Sequence, residues 1–197
     1  MGFLIKEKEI IDNFFEKIKN NNIPLRVFHN DTKLSNILFD ENKKAKVLID
    51  MDTVMPGYLL FDFADAIRTG ISTELEDSKK IENIDINVEY YKEFVNGFLE
   101  NILPMISHDE ISMLVDAVKV ITYECALRFM TDYLNGDQYF KIDYDEHNLI
   151  RSKNQIMLLK KIIQKEQDLK NIVNECVKNI WKKASFWKKK IDVENEK

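Results

Sequence analysis

The chain has 197 residues, 45% hydrophobic and 32% charged, with a net charge of −5. That length allows one domain with a real core, and the acidic balance argues against nucleic acid or an anionic membrane as partner. Two cysteines, Cys125 and Cys176, are too few for a disulfide framework, lack metal-ligand spacing, and sit in helical patterns as buried thiols.

No signal peptide is expected, because Lys6 to Glu9 interrupt the first apolar residues, and no apolar run reaches membrane-spanning length. The expectation is a soluble cytoplasmic protein. Ile10, Ile11, Phe14, Phe15 and Ile18 predict a helix over about Lys6 to Asn20, ended by the Asn20–Asn22 run and Pro24. Leu25–Phe28, Asn36–Phe39 and Ala45–Ile49 read as short strands, the last two joined in a hairpin by the polar turn 40–43. From Phe61 onward the pattern is almost all helix, broken by a polar loop over Ser72–Asn87 that reads as the segment most prone to disorder. Val88–Ile102 is a helix stopped by Pro104. Ser107 and Glu110 form a capping box for a helix that runs to about Leu134, where Gly136 suits its stop. Residues 137–145 read as a loop with exposed aromatics. One last helix is expected from His147 to about Lys183, with a fraying tail over 185–197. The basic stretch Lys178–Lys190 reads as a solvated helix face. The expected fold class is α+β, mostly α: one domain over 1–184, with a small hairpin laid on a helical body.

Chemistry concentrates between Arg26 and Arg68. A strand leads into His29-Asn30-Asp31-Thr32-Lys33-Leu34-Ser35-Asn36; strand, turn and strand follow, then Asp50 and Asp52. Asp, Asn and Lys in loops are most often turn formers. The ordered set, however, has the strand–loop–hairpin–metal-Asp layout of a kinase catalytic loop. In that layout Asp31 is a general base that orients and deprotonates a hydroxyl. Asn36 and Asp50 offer hard oxygen ligands for Mg²⁺, and Lys33 meets the transferring phosphoryl group as a point charge. His29 supports the loop through its ring. Asp62 either accepts backbone N–H groups of that loop or caps the following helix. Asp52 is left open between a second metal or water ligand and a loop brace.

The stretches HNDTKLSNILFD, IDMDTVMPG and YLLFDFADAIR resemble the aminoglycoside phosphotransferase and choline kinase-like superfamily, within the protein-kinase-like fold. With TYECALRFMTDYLNGDQYFKI and DEHNLIRSKNQ they look closest to the N-acetylhexosamine 1-kinase group, over about Ile10 to Val173. The resemblance implies transfer of the γ-phosphate of ATP, as co-substrate with Mg²⁺, to a sugar hydroxyl. It implies Asp31 as base, Asn36 and Asp50 as metal ligands, and Arg128 as a sugar-binding residue, with Asp132 and Tyr139 as weaker candidates. Arg128, in an apolar helical run, reads as a buried guanidinium that needs either a sugar oxygen or an acidic neighbour.

By the same resemblance the chain corresponds to a C-terminal lobe, with the catalytic loop over 26–57 and a helical substrate-binding part over 58–184. Only 28 residues precede His29, and no glycine pair suggests a phosphate-covering loop. The expectation is therefore weak or absent activity unless an N-lobe is supplied by another chain. Apolar surface left on the hairpin side would invite self-association. Three other readings compete: a non-catalytic lobe acting as a binding module, an aminoglycoside- or choline-type kinase, and a haloacid dehalogenase-type phosphatase with Asp50 as nucleophile and Asp52 as acid/base.

Overall fold

The helix that carries much of the core begins at a reciprocal cap. Ser107 Oγ accepts the Glu110 N–H, and the Glu110 carboxylate accepts the Ser107 N–H. In a computed structural model of the chain, which describes the backbone of residues 2–195 and the side chains of residues 2–183, this is α5, His108–Leu134. The other helices are α1 (Gly2–Lys6), α2 (Glu9–Asn20), α3 (Leu59–Gly70), α4 (Val88–Ile102), α6 (His147–Gln164) and α7 (Glu166–Asn195). Four strands precede α3: β1 (Arg26–Phe28), β2 (Ile37–Phe39), β3 (Ala45–Leu48) and β4 (Met55–Gly57). The architecture is mostly helical, with two small antiparallel sheets.

The main core lies among α2, α3, α4, α5, α6 and α7. On α3, Leu60, Phe63, Ala64 and Ile67 at helical spacing are almost completely buried. Each larger side chain contributes roughly 1.5–3 kcal/mol by burial. A smaller cluster joins Leu4, Tyr123, Ala126 and Leu159.

The expected hairpin forms between β2 and β3, with Ile37 opposite Leu48. Asp40 closes it: its Oδ1 accepts the N–H groups of Asn42 and Lys44, both at 2.9 Å. A second sheet, not expected, pairs β1 with β4, Val27 opposite Pro56. Gly57 makes this pairing possible, since a Cβ there would fall 2.1 Å from the Phe28 ring.

Three boundaries differ from expectation. The helix expected over about Lys6 to Asn20 forms as α2 from Glu9 and sends Phe14 and Ile18 into the main core, but a separate α1 precedes it and sends Leu4 into the smaller cluster, where its carbonyl accepts the Tyr123 hydroxyl at 2.9 Å. The last helix also divides, at Lys165, because α6 packs along α5 and α7 along α4. The expected fraying of 185–197 falls on side chains outside the described residues; the α7 backbone is helical to Asn195.

The polar segment 72–87 is a fixed strap rather than a disordered loop. Ile84 and Ile86 are buried beneath it, Ser72 bridges Ile86, and the Leu75 carbonyl accepts the Asn154 side chain at 2.8 Å. Its polarity comes from the outward residues, while two isoleucines anchor it.

Candidate active site

Strand β1 delivers the loop 29–36 to the mouth of a cleft. Arg26 on β1 forks onto Glu110, Nη2 to Oε2 at 2.9 Å and Nε to Oε1 at 3.3 Å, so the α5 cap also fixes the strand. Burial pushes the Glu110 carboxyl up, but Arg26 and Ser107 more than offset that, and its pKa lies below its ordinary value.

Asp62, one turn into α3, clamps the loop. Its carboxylate accepts the His29 and Asn30 N–H groups, both at 2.8 Å, and its carbonyl accepts the Thr32 hydroxyl at 2.6 Å. Of the two roles open to Asp62, the loop clamp is the one observed; Tyr58 stands at the start of α3, with no side-chain cap. His29 Nε2–H donates to the Ile49 carbonyl at 3.1 Å, and Ile49 N–H donates to the Asn36 carbonyl at 2.9 Å. The loop, β3 and Asn36 are thereby tied at one point. Thr53 braces the loop through its hydroxyl to the His29 carbonyl at 2.7 Å. Asp52, exposed in the turn 51–53, makes no contact among the described residues that would brace it.

Inside this frame, Asp31 Oδ2 accepts Lys33 Nζ at 2.6 Å and Asn36 Nδ2 at 2.9 Å. Partial burial pushes the Asp31 carboxyl up, and the Lys33 and Asn36 hydrogen bonds together outweigh it, so the pKa lies below the usual aspartate value. Asp31 therefore stays ionised at neutral pH. Asn36 is buried and spends its amide N–H groups on Asp31, which leaves its Oδ1 as the atom available to a cation. Asp50 follows β3 in the left-handed region, at φ 63° and ψ 56°, with its carboxylate exposed and unpaired among the described residues. A non-glycine residue held there costs on the order of 1–3 kcal/mol, and such strain gathers at functional sites. Among the described residues no three His, Cys, Asp or Glu side chains converge on a metal position. Neither Asn36 nor Asp50 is among the residues that line the cleft with Asp31; an amide oxygen and a carboxylate are nonetheless the kinds of hard donor that Mg²⁺ takes.

The cleft has a volume of about 970 Å³. Asp31, Lys33, Asn30 and Thr53 line it together with Arg128, Phe129, Tyr139 and Phe140 from the other half of the chain. Phe129 and Phe140 meet at 4.7 Å between ring centres, and Arg128 lies 5.2 Å over Phe140 and 5.6 Å over Tyr139. Arg128 is not buried as expected. Its side chain is 46% exposed and meets Glu124 one turn earlier, because the α5 face it stands on borders the cleft rather than the core. Asp132, by contrast, is buried away from the lining. It accepts the N–H groups of Gln138, Tyr139 and Phe140 and the Asn148 amide. It shapes the aromatic wall instead of offering an oxygen to a ligand. Burial works against its charge, but these backbone bonds prevail and hold its pKa below the usual range.

Sequence reading misses Arg68, which is buried and held by Asp65, Glu76 and Gln155 beside the cleft. The charged position inside the apolar face of α3 is the available signal. Glu124, Phe140 and Arg151 are missed as well. Cys125 is partly rather than fully buried, and burial pushes its thiol up to about 12, which removes it as a nucleophile. Asp50 stands at the end of an antiparallel hairpin, and both described sheets are antiparallel. That departs from the parallel sheet a haloacid dehalogenase-type reading of Asp50 requires.

Residues 6–84 match the APH phosphotransferase enzyme family. The match takes in the loop 29–36, the hairpin, Asp50 and Asp62, and it supports a phosphotransferase-type function. It stops before Arg128, Asp132 and Tyr139. No helix among the described residues is long and apolar enough to cross a membrane.

Proposed function

We propose that this chain supplies the catalytic loop and acceptor pocket of an ATP-dependent kinase acting on a sugar hydroxyl, in the manner of an N-acetylhexosamine 1-kinase. The observation that carries the proposal is Asp31: an ionised carboxylate, fixed by Lys33 and Asn36, in one cleft with an aromatic wall. Phosphoryl transfer depends mostly on positioning and electrostatics. A carboxylate of low pKa suits that chemistry, since it orients the acceptor hydroxyl and takes its proton as the new bond forms. Lys33, held on Asp31, is the positive charge we assign to the transferring phosphoryl group. The half-buried Phe140 ring, backed by the buried Phe129, offers an apolar face to a sugar ring, and Arg128 and Tyr139 offer donors to its hydroxyl groups. Asn36 and Asp50 are the residues we assign to Mg²⁺, which neutralises phosphate charge when bound.

We also take the helical body to be a kinase-type C-lobe whose nucleotide is covered from the hairpin side. Leu38, Phe39, Val47 and Leu48 stand exposed there. Until that face is covered, transfer by the chain alone is expected to be weak. The test is phosphate transfer from Mg-ATP to N-acetylglucosamine, N-acetylgalactosamine, choline and kanamycin, with Asp31→Ala as control. Transfer to a sugar that disappears in the variant supports the proposal. Transfer only to choline or kanamycin, or activity that survives Asp31→Ala, overturns it.

A further inference from the structure

Three of the four arginines meet a carboxylate: Arg26 with Glu110, Arg68 with Asp65 and Glu76, Arg128 with Glu124. Arg151 is the exception among the described residues. It stands on α6 in the wall of the cleft. Its Nη1 donates to the Lys141 carbonyl at 3.1 Å and to Asn148 Oδ1 at 3.2 Å, and its guanidinium lies 5.5 Å over the Phe129 ring. Its Nε is buried with no partner, and Nη2 makes no bond to the described residues. A guanidinium has five donors and does not shed its charge. Fixing one half-buried without a counter-charge is unfavourable unless a ligand brings the missing oxygens.

The charge balance of the cleft points the same way. Its four acids, Asp31, Asp65, Glu76 and Glu124, are all engaged, by Lys33, Arg68 and Arg128. Lys141 and Arg151 are the lining cations left over among the described residues, side by side at the Phe129–Phe140 wall. A polycationic acceptor would find no free carboxylate there.

We propose that Arg151, with Lys141 beside it, reads an electron-rich oxygen group on the acceptor, a carboxylate or an acyl carbonyl, and turns away an acceptor that carries an ammonium in that place. This rests on the reading of the cleft as a sugar-acceptor site and adds the residue that selects among sugars.

The test is calorimetric titration without nucleotide, using glucose, glucuronate, N-acetylglucosamine and glucosamine. Glucuronate, N-acetylglucosamine or both should bind about tenfold or more tighter than glucose, as a charge-assisted hydrogen bond allows, and glucosamine no tighter than glucose. Whichever oxygen-rich probe gains identifies the group that is read. Arg151→Gln should bring that probe down to the level of glucose, and Arg151→Lys should restore part of the difference. Lys141→Gln, at an exposed position, should weaken the preference with the fold untouched. Equal binding of all four probes, no binding of either oxygen-rich probe, or a preference that survives both Gln variants overturns the proposal. Because no phosphate moves in this assay, the two readings fail separately: transfer only to choline or kanamycin would sink the sugar-kinase reading, while the binding preference alone decides the subsite.

Discussion

Asn36 grips Asp31 with a single nitrogen: Nδ2 donates at 2.9 Å to the Asp31 carbonyl and at 2.9 Å to its Oδ2. Lys33 takes the same Oδ2 at 2.6 Å. One carboxylate oxygen is thus engaged twice, and Oδ1 is left to meet a hydroxyl. Asp31→Asn keeps the shape but removes the charge and the proton acceptor. It should lower kcat by roughly 10²–10⁴, the span of a positioned general base, with an unchanged circular dichroism spectrum. A loss under threefold would remove Asp31 from the chemistry.

Lys33 should set the acid limit of activity. Asp31 lies below its ordinary value of 3.8 chiefly because Lys33 and Asn36 overcome its burial. Its ionised form is therefore retained down to below that value. Lys33→Met removes the favourable charge and one hydrogen bond, so the Asp31 pKa should rise. The acid limb of the kcat/KM profile should move to higher pH in the variant. An acid limb that stays in place would show that another group controls it.

Asp62 is the clamp, and its removal should be felt in both stability and rate. Asp62→Ala leaves the His29 and Asn30 N–H groups without their acceptor. Unpaired donors of this kind cost on the order of 1–3 kcal/mol each when buried; with Asn30 exposed, about 2 kcal/mol in all is expected from urea unfolding. kcat should fall more than acceptor affinity, because Asp62 positions the loop and touches no acceptor itself.

How far the sequence discloses such a site depends on the range of the forces involved. The loop 29–36, the hairpin turn at Asp40, the Ser107–Glu110 cap and the whole of α4 are legible, because each is set by residues close in sequence. Strand β4 is not: it exists because Gly57 lets Phe28 pass, a contact across the loop and hairpin between them. The strap 72–87 has the composition of a disordered loop because its two buried isoleucines are diluted among polar residues. Arg128 is exposed where a buried guanidinium is expected, while Arg68, for which the sequence offers no such expectation, is the one buried; only the packing of α3 and α5 decides which is covered.

Glu110 should make stability fall in acid. It is buried, paired with Arg26, and its pKa in the folded state lies below its ordinary value of 4.5. The unfolded chain then binds the proton more tightly, so this contribution is complete above pH 4.5 and is lost as pH falls through the folded-state value. Glu110→Gln should lower the urea midpoint at neutral pH and flatten the decline below pH 4.5. Since Arg26 also positions β1, Arg26→Met should loosen the loop behind it, visible as faster amide exchange at His29 and Asn30.

The hairpin face should drive self-association of the isolated chain. Leu38, Phe39, Val47 and Leu48 on β2 and β3 are each at least 44% exposed, and Val27 on the edge of the other sheet is 75% exposed. So many large apolar side chains exposed on one short hairpin mark a place where something docks. Short two-stranded sheets also leave unpaired edges. Light scattering should therefore show an apparent mass that rises with concentration. Val47→Lys and Leu38→Lys, on exposed positions, should suppress the rise without lowering the melting temperature, because neither side chain packs in the described core. If the unmodified chain runs as a clean monomer at every concentration, this face does not bind a second copy, and its exposure needs another explanation.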